Sequence, residues 1–318
     1  MANNVLNIAT GNSTLKNTGM VKQGLNPGVM KYLILVPKGT IIPTASCADA
    51  ATFTTYVQGK LQANSRTLRW FRSPLLTNLE DKTEAPVMEK RDGFEKVVYE
   101  PTVNCQWLMN GAFEDFTNYK GFSLLQNFYD VFMIDVNNVF YGTQSSTGIK
   151  AFTMYQFYVM PWKQTMTTAA AKYLVQVNLT NNSQINEKLY FVDFSSSTVT
   201  GSDLDGLLDV ALEQGRVTST NTSSAIRVYG SVAGAGSLGK LFGDALSLTT
   251  VWKVATSGGT VRTLTAVAYS STNDQYTISS SAEFATGDIV TLLPPQTILG
   301  IDPSLNLVTE TGFAVTVS

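Results

Sequence analysis

The sequence predicts a mainly β protein, and three observations support this fold class. Short runs of β-branched and aromatic residues recur along the 318 residues, of which 44% are apolar and 10% aromatic. Clusters of Gly, Ser, Thr and Asn separate these runs, as expected of strands and turns. Two segments have the apolar spacing of a helix. We therefore expect a mainly β domain with flanking helices, followed by a small C-terminal immunoglobulin-like β domain.

The first 28 residues predict an N-terminal arm. They are rich in Asn and Gly and end at Pro27-Gly28, which prevents sustained apolar periodicity. Such an arm is disordered alone or becomes ordered against a neighbouring molecule. The first residues lack the basic and apolar regions of a signal peptide, and no stretch approaches the ~20 apolar residues that span a bilayer. We expect a protein that is neither secreted nor inserted in a membrane.

A first β domain is expected over residues 29–217. Met30–Val36 has the length and composition of a strand. A helix is predicted over residues 48–63, because Ser46 and Asp49 resemble the start of a capping box. Four apolar residues share one face of this helix: Ala50, Phe53, Val57 and Leu61.

Charged residues are concentrated between two predicted strands, Thr67–Arg72 and Gly93–Tyr99. Residues 73–96 form a long loop, and loops of this length are uncommon unless functional or disordered. The mixed signs favour contact with a surface of complementary mixed charge, and a solvated hairpin tip is the alternative. The candidate contact residues are Glu80, Asp81, Lys82, Glu84, Glu89, Lys90, Arg91, Asp92, Glu95 and Lys96.

The centre of the chain predicts a hairpin and three further strands. Tyr129–Asp135 and Val139–Gly142 flank a turn at Val136-Asn137-Asn138, where paired Asn residues tolerate positive φ. The further strands are expected at Ala151–Met160, Tyr173–Leu179 and Lys188–Phe194, with a turn at Thr180–Ser183.

A second helix is predicted from Ser202 to Gly215. Ser202 is a suitable N-cap, and Asp203 and Asp205 lie in the first turn, where the helix dipole favours negative charge. Gly215 is a suitable stop. The apolar stripe of this helix consists of Leu204, Leu207, Leu208, Ala211 and Leu212.

The composition changes at about residue 218. Residues 218–247 are rich in Gly and Ser and predict a linker, and residues 248–318 predict the C-terminal β domain. Turns are expected at Ser257–Thr260 and Ser270–Asp274. The expected strands are Leu248–Ala255, Val261–Tyr269, Gln275–Ser279, Ile289–Leu293 and Phe313–Val317.

The residue types available for catalysis are few. The chain contains no histidine, the commonest acid–base catalyst and metal ligand. Cys47 and Cys105 stand far apart, which favours two buried thiols, and a disulfide is the alternative. The glycine-rich segment Gly230–Gly239 lacks a strict G-x-G-x-x-G pattern and does not predict a nucleotide site. We expect no enzyme activity, no cofactor and no metal.

Carboxylates and aromatic residues leave two weaker possibilities. Glu114 with Asp115, or Asp130 with Asp135, are candidate carboxylate pairs for glycoside chemistry, although surface and turn roles also explain them.

The net charge is −2, so no global positive field attracts nucleic acid. Core and interface packing is favoured over sugar stacking for four tryptophans spread along the chain: Trp70, Trp107, Trp162 and Trp252.

The order of elements over residues 30–215 resembles that of bacteriophage tail tube proteins. The C-terminal unit resembles the immunoglobulin-like additions of virion proteins. Three parts of the chain carry the main resemblance: the strands and charged excursion within Thr67–Val98, the hairpin Tyr129–Thr143 with its Asn137-Asn138 turn, and the paired long strands Ala151–Met160 and Lys188–Phe194.

This resemblance implies a tail-tube-like β-sandwich or partial barrel with flanking helices. It also implies a virion structural protein, assembled in the host cytoplasm, whose subunits join sheet edges to close hexameric rings. Stacked rings would form a lumen through which DNA passes without specific binding. The loop Glu80–Lys96 would contact the next ring, together with the arm Ala2–Pro27. The partners would be copies of the same chain and other virion proteins. The alternatives are a capsid, capsid-decoration or head–tail connector protein, and a carbohydrate- or receptor-binding module.

Overall fold

A computed structural model describes residues 6–8, 28–91, 94–99, 101–109, 120–123, 126–163, 172–186, 188–215, 222–230, 236–309 and 311–317. These residues form a mainly β fold with curled, half-barrel sheets, which confirms the predicted fold class. The chain divides into two compact units. The first consists of Met1–Leu61 and Ser65–Asp205, and the second of Gln62–Asn64 and Gly206–Ser318.

The first unit is built mainly from strands. Helical segments among its described residues include short 3-10 turns at Thr44–Cys47 and Gln126–Phe128, the helix α1 (Ala50–Leu61) and the single turn α2 (Ser183–Asn186). Its strands are β1 (Leu6–Ile8), β2 (Met30–Pro37), β3 (Ile41–Pro43), β4 (Phe71–Arg72), β5 (Leu76–Asp81), β6 (Val87–Arg91), β7 (Phe94–Tyr99), β8 (Asn104–Met109), β9 (Tyr129–Asp135), β10 (Val139–Ser145), β11 (Gly148–Lys150), β12 (Met154–Lys163), β13 (Lys172–Leu179) and β14 (Leu189–Asp193).

These strands form three sheets in the described residues. The largest has eight strands, in the order β1-β14-β10-β9-β2-β4, and β11 and β3 extend it from β10. A second sheet has the order β12-β13-β8-β5, and β6 and β7 form a two-stranded sheet. All neighbouring strands of the first unit are antiparallel.

The eight-stranded sheet buries both of its faces. Along β2, Leu33 and Leu35 point to the four-stranded sheet, and the alternate residues Ile34 and Val36 point to α1. All four side chains are fully buried. Because side chains alternate across a strand, a continuous apolar run is the sequence expected of a strand covered on both faces. Met30–Pro37 and Tyr129–Asp135 both have this character.

Two predicted elements of the first unit are confirmed. The helix α1 buries Ala50, Phe53, Val57 and Leu61, the four residues of the predicted stripe. The carboxylate of Asp49 accepts a hydrogen bond of 2.7 Å from the amide of Thr52, whereas Ser46 lies in the preceding 3-10 turn. The hairpin β9–β10 also forms, and Asn138 adopts a φ of 59° in its turn.

Several predictions for the first unit are wrong in detail. Residues 73–96 are not a continuous loop, because β5, β6 and the start of β7 lie within them. The predicted strand Thr67–Arg72 is reduced to Phe71–Arg72. The long strands expected to pair do not do so: β12 pairs with β13, and β14 pairs with β10 and β1. Alternation alone places a strand in a sheet without choosing its neighbour.

The predicted helix from Ser202 to Gly215 does not form. Residues 201–203 are a turn, in which the carboxylate of Asp203 accepts a hydrogen bond from the amide of Thr200. The strand β15 (Leu208–Gln214) follows. Leu204 is buried in the core of the first unit, whereas Val210 and Leu212 are buried in the core of the second. The apolar stripe therefore combines residues of two separate cores.

The second unit contains two sheets that share one apolar core. Their orders are β18-β19-β16-β15-β21 and β17-β20-β22. The helical segments are α3 (Gly239–Phe242), a 3-10 turn at Gly243–Leu246, and α4 (Pro295–Ile301). The strands after β15 are β16 (Ser223–Gly230), β17 (Trp252–Ala255), β18 (Leu264–Ser270), β19 (Gln275–Ser280), β20 (Ile289–Leu292), β21 (Leu307–Val308) and β22 (Phe313–Ala314).

The linker prediction for residues 218–247 is wrong, because β16 lies at the centre of the five-stranded sheet. Ile226 and Val228 are fully buried there. The boundary between units falls between Asp205 and Gly206 rather than after residue 217. The unit also contains a parallel pair, β15 with β21, which the antiparallel immunoglobulin sandwich lacks.

Candidate self-association site

The hairpin β6–β7 is a two-stranded sheet that pairs with no other strand in the described part of the chain. Its register places Val87 opposite Tyr99 and Met88 opposite Val97, with an irregularity between these two pairs. An isolated two-stranded hairpin is at best marginally stable in water, and it needs a third strand or a packing surface. A third strand or a packing surface would therefore stabilise this hairpin.

Exposed apolar side chains mark the end of the hairpin away from its turn. Val87, Met88, Val97 and Tyr99 are 54%, 49%, 48% and 55% exposed. Directly opposed residues lie on the same side of an antiparallel pair. The four residues form two adjoining cross-strand pairs, so this end of the hairpin exposes a group of apolar side chains, as interaction sites commonly do. These apolar residues do not stand out in the sequence, because charged residues dominate the composition of the same segment.

The ten candidate contact residues are distributed over three places. Glu80 and Asp81 end the edge strand β5, and Lys82 and Glu84 lie in the connection to the hairpin. Asp92 lies outside the described residues. The remaining residues belong to the two hairpin strands: Glu89, Lys90 and Arg91 in β6, and Glu95 and Lys96 in β7.

The turn that leads from β5 towards the hairpin is fixed by local hydrogen bonds. The carboxylate of Asp81 accepts a hydrogen bond of 2.8 Å from the amide of Thr83, and the hydroxyl and amide of Thr83 lower the pKa of Asp81. The Thr83 hydroxyl accepts a hydrogen bond from the amide of Asn104. The Lys82 ammonium lies 2.7 Å from the Glu80 carboxylate, but both side chains are about half exposed, so this pair adds little stability.

The hairpin register pairs residue types of opposite charge. Glu89 is opposite Lys96, and Lys90 is opposite Glu95. The acidic residue of the first pair is on β6 and that of the second pair is on β7. Neither strand therefore carries only one sign of charge at these positions. A surface with the same alternation, such as another copy of the chain, is electrostatically compatible with it.

The candidate carboxylate pair of Asp130 and Asp135 has structural contacts. Asp130 accepts a hydrogen bond of 2.8 Å from the amide of Gly39, and Asp135 accepts one of 2.7 Å from the amide of Gly28. Both side chains are 1% exposed, which is a poor position for binding a sugar. The other candidate pair, Glu114 and Asp115, lies outside the described residues.

The two cysteines are the remaining residues with reactive side-chain chemistry that the sequence singled out. Burial raises the pKa of both Cys47 and Cys105 to about 11, so their thiols are unreactive near neutral pH. The described residues contain no group of three or more potential metal ligands. Within them, no helix is long and apolar enough to cross a membrane. Core packing is confirmed for the three tryptophans whose side chains are described: Trp70, Trp107 and Trp252.

Neither a protein-family model nor a curated protein sequence matches this chain.

Proposed function

We propose that this chain is a bacteriophage virion structural protein, a tail tube subunit that self-assembles into stacked hexameric rings around a DNA conduit. The observation that carries the proposal is the hairpin β6–β7, which pairs with no other strand of the described residues and has four exposed apolar residues. A contact that covers this surface stabilises the hairpin and removes apolar area from water.

The partner in this proposal is another copy of the same chain. The alternating charges of the hairpin match a surface with the same alternation. The open edge of β5, which adjoins the hairpin in the sequence, supplies backbone groups for pairing with a neighbour. The net charge of −2 is compatible with a lumen that does not retain DNA phosphates.

The test is assembly of the purified chain at rising concentration, followed by analytical ultracentrifugation and negative-stain electron microscopy. We expect rings or tubes of uniform diameter. The double variant Met88→Asp, Val97→Asp replaces one exposed apolar cross-strand pair by charges and should prevent stacking while the monomer keeps its fold. The matched control is Leu68→Asp, since Leu68 is 61% exposed in a turn outside the hairpin.

Three results would contradict this proposal. The chain could remain monomeric at every concentration, the hairpin variant could form tubes as long as those of the unaltered chain, or the control could lose assembly as completely as the hairpin variant. Closed shells or single rings without stacking would instead favour the capsid, decoration or connector alternative within the same class.

A further inference from the structure

The outer face of the four-stranded sheet carries an ordered set of uncharged polar side chains, which we call the amide face. On β13, Tyr173, Val175 and Val177 point into the core, so the alternate residues Gln176 and Asn178 point outward. The cross-strand register extends this face over β12, β8 and β5. Its members are Asn104, Gln106, Gln156, Gln176 and Asn178.

The register places the amides and the other residues of the same sheet face in three rows, each of which runs across the strands. The first contains Gln156, Asn178 and Asn104; the second contains Tyr158, Gln176, Gln106 and Glu80; the third contains Met160, Leu174, Leu108 and Thr77. With strands about 4.8 Å apart and like-facing residues about 7 Å apart, the rows cover about 14 Å in each direction.

Hydrogen bonds hold the amides in fixed orientations. The side-chain amide of Asn178 donates to the Gln156 oxygen at 2.9 Å, and that of Gln176 donates to the Asn104 oxygen at 3.1 Å. A primary amide offers two donor hydrogens and two acceptor lone pairs, so each of these bonds leaves further capacity. The amide face therefore presents preorganised donors and acceptors side by side.

Two tyrosines border the amide face on β12. Tyr158 is the register partner of Gln176 and is 38% exposed. Tyr155 lies at the irregularity between Met154 and Gln156 and is 70% exposed. Exposed aromatic rings beside fixed polar groups are a common composition of small-molecule binding surfaces.

The charge of the amide face restricts the ligands it can bind. Glu80, at the β5 edge, is the one charged residue within the three rows of these described strands. A nucleic acid needs cations for its phosphates, and the rows provide none. A purely apolar ligand would cover the remaining donors and acceptors of the amides without bonding them, which is costly. A neutral ligand with many hydroxyl groups satisfies both requirements, because each hydroxyl both donates and accepts.

We propose that the amide face binds a neutral oligosaccharide. The amides of Gln176, Asn178 and Asn104 bond the sugar hydroxyls, and the rings of Tyr158 and Tyr155 cover the apolar faces of the sugar rings. The amides and tyrosines of this site lie on β8, β12 and β13 rather than on the hairpin β6–β7, and the inference does not depend on the proposed assembly.

The test is isothermal titration of the intact chain with two neutral hexasaccharides, cellohexaose and chitohexaose, and with a sulfated heparin hexasaccharide. We expect saturable binding of at least one neutral probe with a Kd at or below about 1 mM, and no binding of the sulfated probe. Tyr158→Ala and Gln176→Glu should each weaken binding by about tenfold or more, whereas Tyr158→Phe, which keeps the ring, should stay within about threefold.

The control is Tyr99→Ala, which removes a similarly exposed tyrosine from the hairpin and should leave the affinity for the sugar unchanged. Near-ultraviolet circular dichroism verifies that each variant is folded. The inference is overturned if neither neutral probe binds, if the sulfated probe binds as tightly, or if Tyr158→Ala binds as the unaltered chain does. A chain that binds the sugar but never assembles would contradict only the proposed function.

Discussion

The hydroxyl group of Tyr141 donates a hydrogen bond of 2.7 Å to the carboxylate of Asp135, and both side chains are 1% exposed. The same carboxylate accepts hydrogen bonds from the amides of Gly28, Asn137 and Val139. A buried carboxylate is tolerated when its oxygens are bonded in this way. Asp135 thus joins the turn of the hairpin β9–β10 to the residue that precedes β2.

Replacement of Tyr141 by Phe should destabilise the first unit by about 1–3 kcal/mol, because it leaves a buried carboxylate with one donor fewer. Urea unfolding followed by circular dichroism measures the change. Tyr155→Phe is the control, since Tyr155 is 70% exposed and the loss of its hydroxyl should have little effect. Equal stabilities of the two variants would show that the hydrogen bond to Asp135 contributes nothing.

Asn138 should be sensitive to replacement in a graded way. Its φ is 59°, and its side-chain oxygen accepts a hydrogen bond of 2.9 Å from the buried amide of Gly201. Asn138→Gly removes the bond but relieves the backbone, whereas Asn138→Ala removes the bond and adds about 1–2 kcal/mol of strain. Thermal unfolding should therefore rank the unaltered chain above Gly and Gly above Ala. An Ala variant as stable as the Gly variant would contradict this account.

The charges of the hairpin should affect assembly and leave folding intact. The triple variant Lys90→Ala, Arg91→Ala, Glu95→Ala should lose ring stacking in negative-stain images. Its free energy of unfolding should stay within about 0.5 kcal/mol of that of the unaltered chain. If it still forms long tubes, the assignment of the ring-to-ring contact to this segment is wrong. The control is a triple alanine variant of exposed charged residues outside the hairpin: Lys188, Lys253 and Glu283.

The ion pair of Arg262 and Asp288 should be important for the second unit. The two groups lie 2.8 Å apart, with side chains 13% and 2% exposed. Arg262→Ala leaves a buried carboxylate without its cation and should cost about 3–5 kcal/mol. Lys82→Ala breaks the exposed pair with Glu80 and should cost less than about 1 kcal/mol. Hydrogen exchange measured strand by strand reports the stability that each variant loses. Similar losses of stability in the two variants would contradict the claim that the buried ion pair contributes more than the exposed one.

Asp130 should give the first unit a pH dependence of defined sign. Burial is the main cause that raises its pKa above 3.8, against the opposing effect of the Gly39 amide and of Lys150 and Lys38. Because the folded-state pKa is higher than the unfolded one, the stabilising contribution is complete below pH 3.8 and is lost as the pH rises through the folded-state value. The ionised carboxylate is thus the less favourable form in the folded chain.

The test of this sign is Asp130→Asn, which keeps an acceptor for the amide of Gly39 and removes the buried charge. The stability of the variant relative to the unaltered chain should be greater at pH 7 than at pH 4, as measured by urea midpoints. A relative stability that falls between pH 4 and pH 7 would contradict the direction of the pKa shift.

The sequence predicted those elements whose local pattern has one structural solution. The stripe Ala50, Phe53, Val57 and Leu61 fits a helix but no strand, and α1 forms there. The paired Asn residues at 137–138 similarly indicated a turn. Burial on both faces of β2 agrees with its continuous apolar run, although the run alone did not reveal what covers each face.

The errors arise where two structures satisfy the same pattern. Residues 204–212 contain enough leucine for a helical stripe, but Val210 and Leu212 also alternate as β15 requires. Tertiary contacts with β16 and β21 decide in favour of the strand. The Gly- and Ser-rich composition of residues 218–247 likewise concealed β16, whose central position depends on neighbours distant in the sequence.

The candidate site lies in the charged segment that the sequence pattern singles out, and its role stays a prediction. The exposed residues Val87, Met88, Val97 and Tyr99 become visible only through the hairpin register. The amide face was missed entirely, because its residues come from strands that are far apart in the sequence and none forms a motif by itself.

The pairing of Val87 with Tyr99 has a practical consequence for protein engineering. These two residues end a segment whose strands pair with each other and with no further described strand, so the intervening residues form a removable cassette. A short reverse turn grafted in their place would shorten the excursion while preserving β5 and β8. Conversely, a foreign hairpin inserted at the same junction would give the first unit a different exposed surface without redesign of the scaffold.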